Sequence, residues 1–264
     1  MDLVILIIKA AFAGAIVLGI SMIAERVSPR AAGIISGAPL GALISYYFLG
    51  IEQGIEFVIE SIPHAVAGMS GVLVFISLYH AVSSRIERYN LLLSTLAGVL
   101  GFFCFALILQ NITFSIVEGL VVAVTAALLA GFLLRRAVDI RVVAPVRMTM
   151  QLLSLRAGFA AALVVSVVGL AKILGPVWAG ILMGFPMTLL PTLLIVHVTY
   201  SKEHVYAMLR GFPLGIGSVL CYLLTVPISF PALGVNFGTM ASLAVALGYL
   251  AVLSMLFKWR RRNT

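Results

Sequence analysis

The stretch SGAPLGALISYY, Ser36 to Tyr47, decides how this chain is read. It lies in a run of 19 uncharged residues, 31–49, long enough to cross a bilayer as a helix. Yet Gly37, Pro39 and Gly41 fall within five positions of that run. Proline has no backbone N–H to donate and crowds the preceding turn. In lipid, a carbonyl released in this way needs another partner. The sequence therefore predicts a membrane span interrupted near its middle. Such a break is either a packing kink or exposed backbone ready for a ligand.

The rest of the chain supplies the context. It has 264 residues, of which 62% are hydrophobic and 10% charged. Soluble domains carry about 25% charge, so the composition points to an all-α polytopic membrane protein. Nine apolar segments separate, at 3–24, 31–49, 61–82, 91–110, 116–134, 148–171, 175–199, 211–229 and 238–257. The N-terminus has neither a basic leader nor a small-residue cleavage site, and no removable signal peptide is expected. With an outside N-terminus, 14 Lys and Arg residues of the loops and C-terminus share one side, and Lys172 alone occupies the other. Basic residues stay inside. The expected location is the cytoplasmic (inner) membrane, with the N-terminus outside and the C-terminus cytoplasmic. The net charge of +8 then reflects cytoplasmic loops, and no nucleic acid is expected. Cys104 and Cys221 lie in apolar runs and read as small core residues.

The chain also repeats itself. A shift of 147 residues puts Pro29, Ala32, Gly33, Ile34, Gly37, Pro39 and Leu43 on Pro176, Ala179, Gly180, Ile181, Gly184, Pro186 and Leu190. The same shift puts Lys9 on Arg156 and Glu56 on Glu203, without a gap. Shared Gly, Pro and in-span cations are harder to obtain by chance than shared Leu or Val. Each repeat holds four spans, and the segment at 116–134 has no counterpart. The second repeat must then enter from the opposite side. The expected organisation is a first four-helix repeat at 1–112, a linker helix with a basic loop at 113–147, and an inverted four-helix repeat at 148–264. Inverted repeats with paired Gly/Pro-broken spans are a hallmark of secondary transporters, whose site lies near the midplane. The break at 36–47 has such a twin, MGFPMTLLPTLL at 183–194.

The segment AGIISGAPLGALISYYFLGIEQGIEF (32–57), with Lys9 in the preceding span, resembles the GlpM family of small bacterial inner-membrane proteins. Those chains have about four spans. The resemblance covers roughly residues 1–112 and recurs more weakly in 148–264, where AGILMGFP (179–186) is its best piece. It implies two such units fused through a linker helix. The second repeat departs from the pattern by adding Pro191 and by placing Glu203-His204-Val205 where the first has an acidic G-I-E segment. The family brings no catalytic residues and no substrate to this chain.

Charges inside the membrane offer the clearest chemistry. Fifteen residues separate Lys9 from Glu25, the next charged residue, and fifteen separate Arg156 from Lys172. That is about 22 Å of helix, short of a ~30 Å hydrocarbon core. Both therefore start within the core, where they either snorkel to an interface or hold an anion. The anion reading makes a substrate site of Lys9 and Arg156 with the breaks at Gly37, Pro39, Gly184 and Pro186. Ser36, Ser45, Thr188 and Thr192 add neutral hydrogen bonds. Glu52, Glu56 and Glu60 recur every four residues, as a solvated helix face or as an outer gate. His64 and His197 are hydrogen-bonded core residues or proton carriers, which makes Glu60, His64 and His197 the candidate proton or gate residues. No phosphate loop, G-x-S-x-G, H-E-x-x-H or Cys/His metal spacing occurs, so no catalytic residue, metal or cofactor is expected.

The expected function is a carrier moving a small anionic or phosphate-bearing substrate by alternating access. The alternative is a non-transporting membrane subunit, or a flippase-like lipid handler, that supports envelope polysaccharide or lipid metabolism. Expected partners are membrane lipid and the small anionic substrate, and a homodimer is compatible with the sequence.

Overall fold

A computed structural model describes residues 38–135 and 150–262. Among these the chain is all helical. In order the helices are α1 (Leu40–Glu52), α2 (Ile55–Ser83), α3 (Asn90–Leu109), α4 (Ile116–Leu134), α5 (Met150–Leu174), α6 (Pro176–Met183), α7 (Leu189–Thr199) and α8 (Lys202–Arg262). Four of them are long and apolar enough to cross a membrane: α2, α3, α4 and, from Lys202 to Phe257, α8. The last is two antiparallel arms. Gly234, at φ +71, breaks it between 233 and 235. The Ser218 hydroxyl donates to the Ala246 carbonyl at 3.0 Å, and the Tyr249 hydroxyl to the Leu214 carbonyl at 2.9 Å, across the resulting hairpin. The chain is thus an all-α protein with membrane-type helices.

The central helix is α2. It packs against α3, α4, α6 and α8, and its middle, from Ala65 to Leu73, is buried at every position. Close approach of backbones is what permits this. Gly119 brings α4 onto α2, where a methyl group would sit 2.8 Å from the Pro63 carbonyl oxygen. By contrast α3 and α4 expose broad apolar faces, including Leu96, Leu100, Val121 and Leu128. An apolar helix of this kind suits lipid on its outer side.

Connections gather at two ends. At one end lie the α1–α2 turn at Gly54, the 110–115 connection, Gly175 and Gly234. Gly54 and Gly175 have φ of +91 and +87, a conformation glycine adopts without steric cost. Ser115 caps α4 there in a reciprocal capping box with Glu118. Lys172 and Glu52 meet in an ion pair at this Gly54 end, on the side where the sequence puts both. At the other end lie the 84–89 loop and the 200–201 turn, joined by the Tyr206 hydroxyl donating to Ser83 Oγ at 3.0 Å.

Helix limits differ from the apolar segments where charges lie near an end. The α2 helix starts at Ile55 and α8 at Lys202, ahead of the expected 61 and 211. Glu56, Glu60, Lys202 and Glu203 end an apolar window but not a helix, because backbone bonding continues past the hydrocarbon edge. The segment 3–24 lies outside the described residues. One reading is corrected. Cys104 is exposed on α3 rather than in the core, and Cys221 is only partly buried. In a membrane helix an apolar neighbourhood does not separate the core side from the lipid side.

Candidate functional site: the paired helix breaks

The second expected break lies within the described residues, and the start of α1, where the first is expected, has the same hydrogen bonds. At the first, the Leu40 amide donates to the Ala38 carbonyl at 2.8 Å and the Leu43 amide to the Pro39 carbonyl at 2.7 Å. At the second, the Met187 amide donates to Phe185 at 2.7 Å and the Leu190 amide to Pro186 at 2.8 Å. Each donor and acceptor is 147 residues from its counterpart. Local sequence explains the second break fully. The Gly184 and Phe185 amides turn back to Ile181 and Leu182, both at 3.0 Å, tightening the last turn of α6. Pro186 then has no N–H with which to continue the ladder. Pro191 sits in the first turn of α7, where no backbone donor is needed.

Gly180 and Gly184 have a second task. A side chain at either would overlap a carbonyl of α2, that of Ser61 for Gly180 and that of Gly68 for Gly184. The packing reading of these glycines therefore holds, and it accompanies the break rather than replacing it.

The two breaks touch. A methyl group at Gly41 would lie 3.6 Å from Met187 Cβ. Between them is a cavity of about 40 Å³, room for a few waters and not for a metabolite. Its walls come in pairs 147 residues apart: Ala38 with Phe185, Pro39 with Pro186, Gly41 with Thr188, Ala42 with Leu189, Met69 with Ile216, and Val72 with Val219. Met183, Gly184, Met187 and Phe212 complete it, and Thr188 is its one polar side chain among the described residues. The starts of α1 and α7 both border this space. First-turn amides of a helix have no intrahelical acceptor, so the backbone is the principal polar surface here.

The expected site residues divide accordingly. Pro39, Gly184, Pro186 and Thr188 come together at the cavity. Ser45 and Thr192 lie further along their half-helices. The Thr192 hydroxyl donates to the Thr188 carbonyl at 2.8 Å, and the buried Ser45 hydroxyl has no hydrogen-bond partner among the described residues. Lys9, Ser36 and Gly37 lie outside the described residues, as does the side chain of Arg156. Glu60 is exposed on α2. His64 is buried near the Gly54 end, with Nε2 3.0 Å from the Ile112 carbonyl oxygen and its ring edge-on to Phe114. This geometry agrees with the core reading of His64.

His197 is different, since it bonds across the molecule. Its Nδ1 lies 2.5 Å from the hydroxyl of Tyr79, a fully buried residue of α2. Next to it, the His80 and Tyr206 rings stack edge-on at 4.7 Å. Tyr79 is not among the residues expected from sequence. A lone tyrosine inside an apolar helix gives no sign of a partner 118 residues away. The Lys172–Glu52 pair is equally unannounced, because each residue reads as an ordinary loop charge.

Compared with known proteins, the chain matches no family model, no curated protein and no solved structure.

Proposed function

We propose that the protein is a secondary carrier of two inverted four-span repeats joined by α4, nine spans in all, acting by alternating access at the central cavity. The convergence of the starts of α1 and α7 on one cavity, with the same two hydrogen bonds at each, carries this reading. Helix limits add support. The ends of α1 and α7, Glu52 and Thr199, and the starts of α2 and α8, Ile55 and Lys202, are all 147 residues apart. A carrier needs a site reached equally from two halves that can rock against each other.

In this proposal the membrane is the cytoplasmic one, the N-terminus is outside, and the repeats are GlpM-like units. Lys9 and Arg156 supply positive charge for a carboxylate- or phosphate-bearing substrate, beside the amides at the starts of α1 and α7. At about 40 Å³ the cavity must widen to admit such a substrate. A second reading, a flippase-like lipid handler, is favoured by the apolar walls around Thr188.

The test is flux in proteoliposomes, with inorganic phosphate, short carboxylates and a labelled phospholipid offered separately. Saturable uptake of a soluble anion, abolished by Thr188→Trp, is the expected result. Movement of the phospholipid alone selects the second reading. No movement of any of them, in protein shown to be folded, overturns both.

A further inference from the structure

Among the described residues, polar contacts between the halves of the molecule lie on opposite sides of the cavity, the Lys172–Glu52 ion pair on one and the Tyr79–His197 bond, beside the Tyr206–Ser83 bond, on the other. Along α2 the order is Ile55, then the cavity-lining Met69 and Val72, then Tyr79. Met69 is about 21 Å of helix from Ile55, and Tyr79 about 10 Å beyond Val72. At the Ile55 end, Glu52 of α1 pairs with Lys172 of α5. At the far end, Tyr79 of α2 bonds His197 of α7. In each pair one partner precedes α4 in the chain and the other follows it.

We propose that these contacts are the two gates of the cavity. The Lys172–Glu52 ion pair closes the Gly54 side, and the Tyr79–His197 hydrogen bond closes the Ser83 side. Both contacts are made in this structure. Opening the Gly54 side requires the ion pair to exchange its partners for water, and opening the Ser83 side requires the same of the Tyr79–His197 bond, with the neighbouring Tyr206–Ser83 bond at its rim. Both pairs sit where water can take over. Lys172 and Glu52 are partly exposed, and His197 is half-buried two residues from the end of α7. Their strengths suit a gate, since hydrogen bonds and partly exposed ion pairs contribute little net free energy and break readily.

Repeat geometry sharpens the assignment. The positions equivalent to Tyr79 and His197, 147 residues away, are Val226 and Gly50. Gly50 faces an apolar plug, where a methyl group would stand 3.0 Å from Val235 and 3.3 Å from the Phe230 ring. The Gly54 side cannot use the Ser83-side latch and has the ion pair instead. The two gates are therefore chemically distinct and can be opened separately. This inference rests on the carrier reading, and its test is independent of flux.

Thr188→Cys, in a chain with Cys104 and Cys221 replaced by serine, reports access to the cavity. A membrane-impermeant maleimide is applied to one face at a time in oriented proteoliposomes. Tyr79→Phe is expected to raise the labelling rate about two- to tenfold from the Ser83 side alone, the population shift that one lost hydrogen bond produces. Lys172→Met is expected to raise it from the Gly54 side alone. A Tyr79→Cys/His197→Cys disulfide, read out by methanethiosulfonate after oxidation, is expected to stop labelling from the Ser83 side. Unchanged rates in the single variants, or equal increases from both faces, overturn the proposal, as does a disulfide without effect. Flux with unmoved accessibility removes the gates and keeps the carrier. Face-specific accessibility without flux of any substrate keeps the gates and removes the carrier.

Discussion

Two helical hairpins flank the cavity, α2–α3 and the two arms of α8, and they are held together differently. Both use aromatic rings seated on glycine. A methyl group at Gly71 would lie 2.8 Å from the Phe102 ring, and one at Gly98 2.7 Å from the Phe75 ring. In α8 a side chain at Gly217 would overlap the Tyr249 ring, and a methyl at Gly238 would lie 2.8 Å from the Phe230 ring. Only the second hairpin adds polar bonds along its length, from Tyr249, Ser218 and the Ser229–Ser242 pair at 2.8 Å. The first keeps its polar bonds at the turn, where the Asn90 amide donates to the Ser83 carbonyl at 2.7 Å and to that of Ile86. Shape complementarity therefore carries the first hairpin, and shape plus hydrogen bonding the second. In lipid, where there is no hydrophobic drive between helices, both are legitimate means of association.

The largest expected effect breaks the shape-only hairpin. Phe102→Ala removes a fully buried ring that also stacks edge-on against Phe185 at 5.2 Å. It should cost about 3–5 kcal/mol, measured as loss of folded protein in a detergent–SDS titration. Tyr249→Ala should cost less, because three polar bonds minus one remain; an equal or larger loss contradicts the comparison. Next comes the corner of the second hairpin. Gly234→Ala forces a side chain into φ +71 and should cost about 1–2 kcal/mol in the same titration. Gly248→Ala, in open space within the second arm, is the neutral control.

Two smaller effects sharpen the contrast. Asn90→Ala should cost about 1 kcal/mol and speed hydrogen exchange at the 84–89 turn, leaving the α8 arms unchanged. Tyr249→Phe keeps the ring and deletes the bond to Leu214, for about 0.6 kcal/mol, the average for hydrogen bonds between membrane helices. A cost above that of Asn90→Ala would show that polar bonding, not shape, dominates the second hairpin.

The same residues show what sequence alone makes legible. Phe102 and Tyr249 stand 147 residues apart, and so do Pro39 and Pro186, so the 147-residue offset read from sequence marks where these aromatics and prolines fall. It does not predict the glycines beneath the rings. Gly71 corresponds to Ser218, one position from Gly217. The meeting of Pro39 with Pro186 was foreseeable from their shared context. The partners of His197 and Lys172 were not, since contacts between halves depend on docking angles that no local pattern encodes. Membrane hydropathy likewise located the helices but not their faces, which is why Cys104 turned out to face outward.

The unequal exposure of the helices also bears on the bilayer itself. Lipid meets α4, whose 19 residues, from the Ser115 cap to Leu134, are only sparsely buried. At 1.5 Å per residue α4 is about 28 Å long, close to the hydrocarbon thickness of an ordinary membrane. The 29 residues of α2 amount to about 43 Å and are largely screened from lipid by their neighbours. Membrane thickness is thus felt at the periphery, where mismatch costs fractions of a kcal/mol per Å. A thinner bilayer would tilt α4 against α2 about their contact at Gly119, while the helix that bears the cavity keeps its own length.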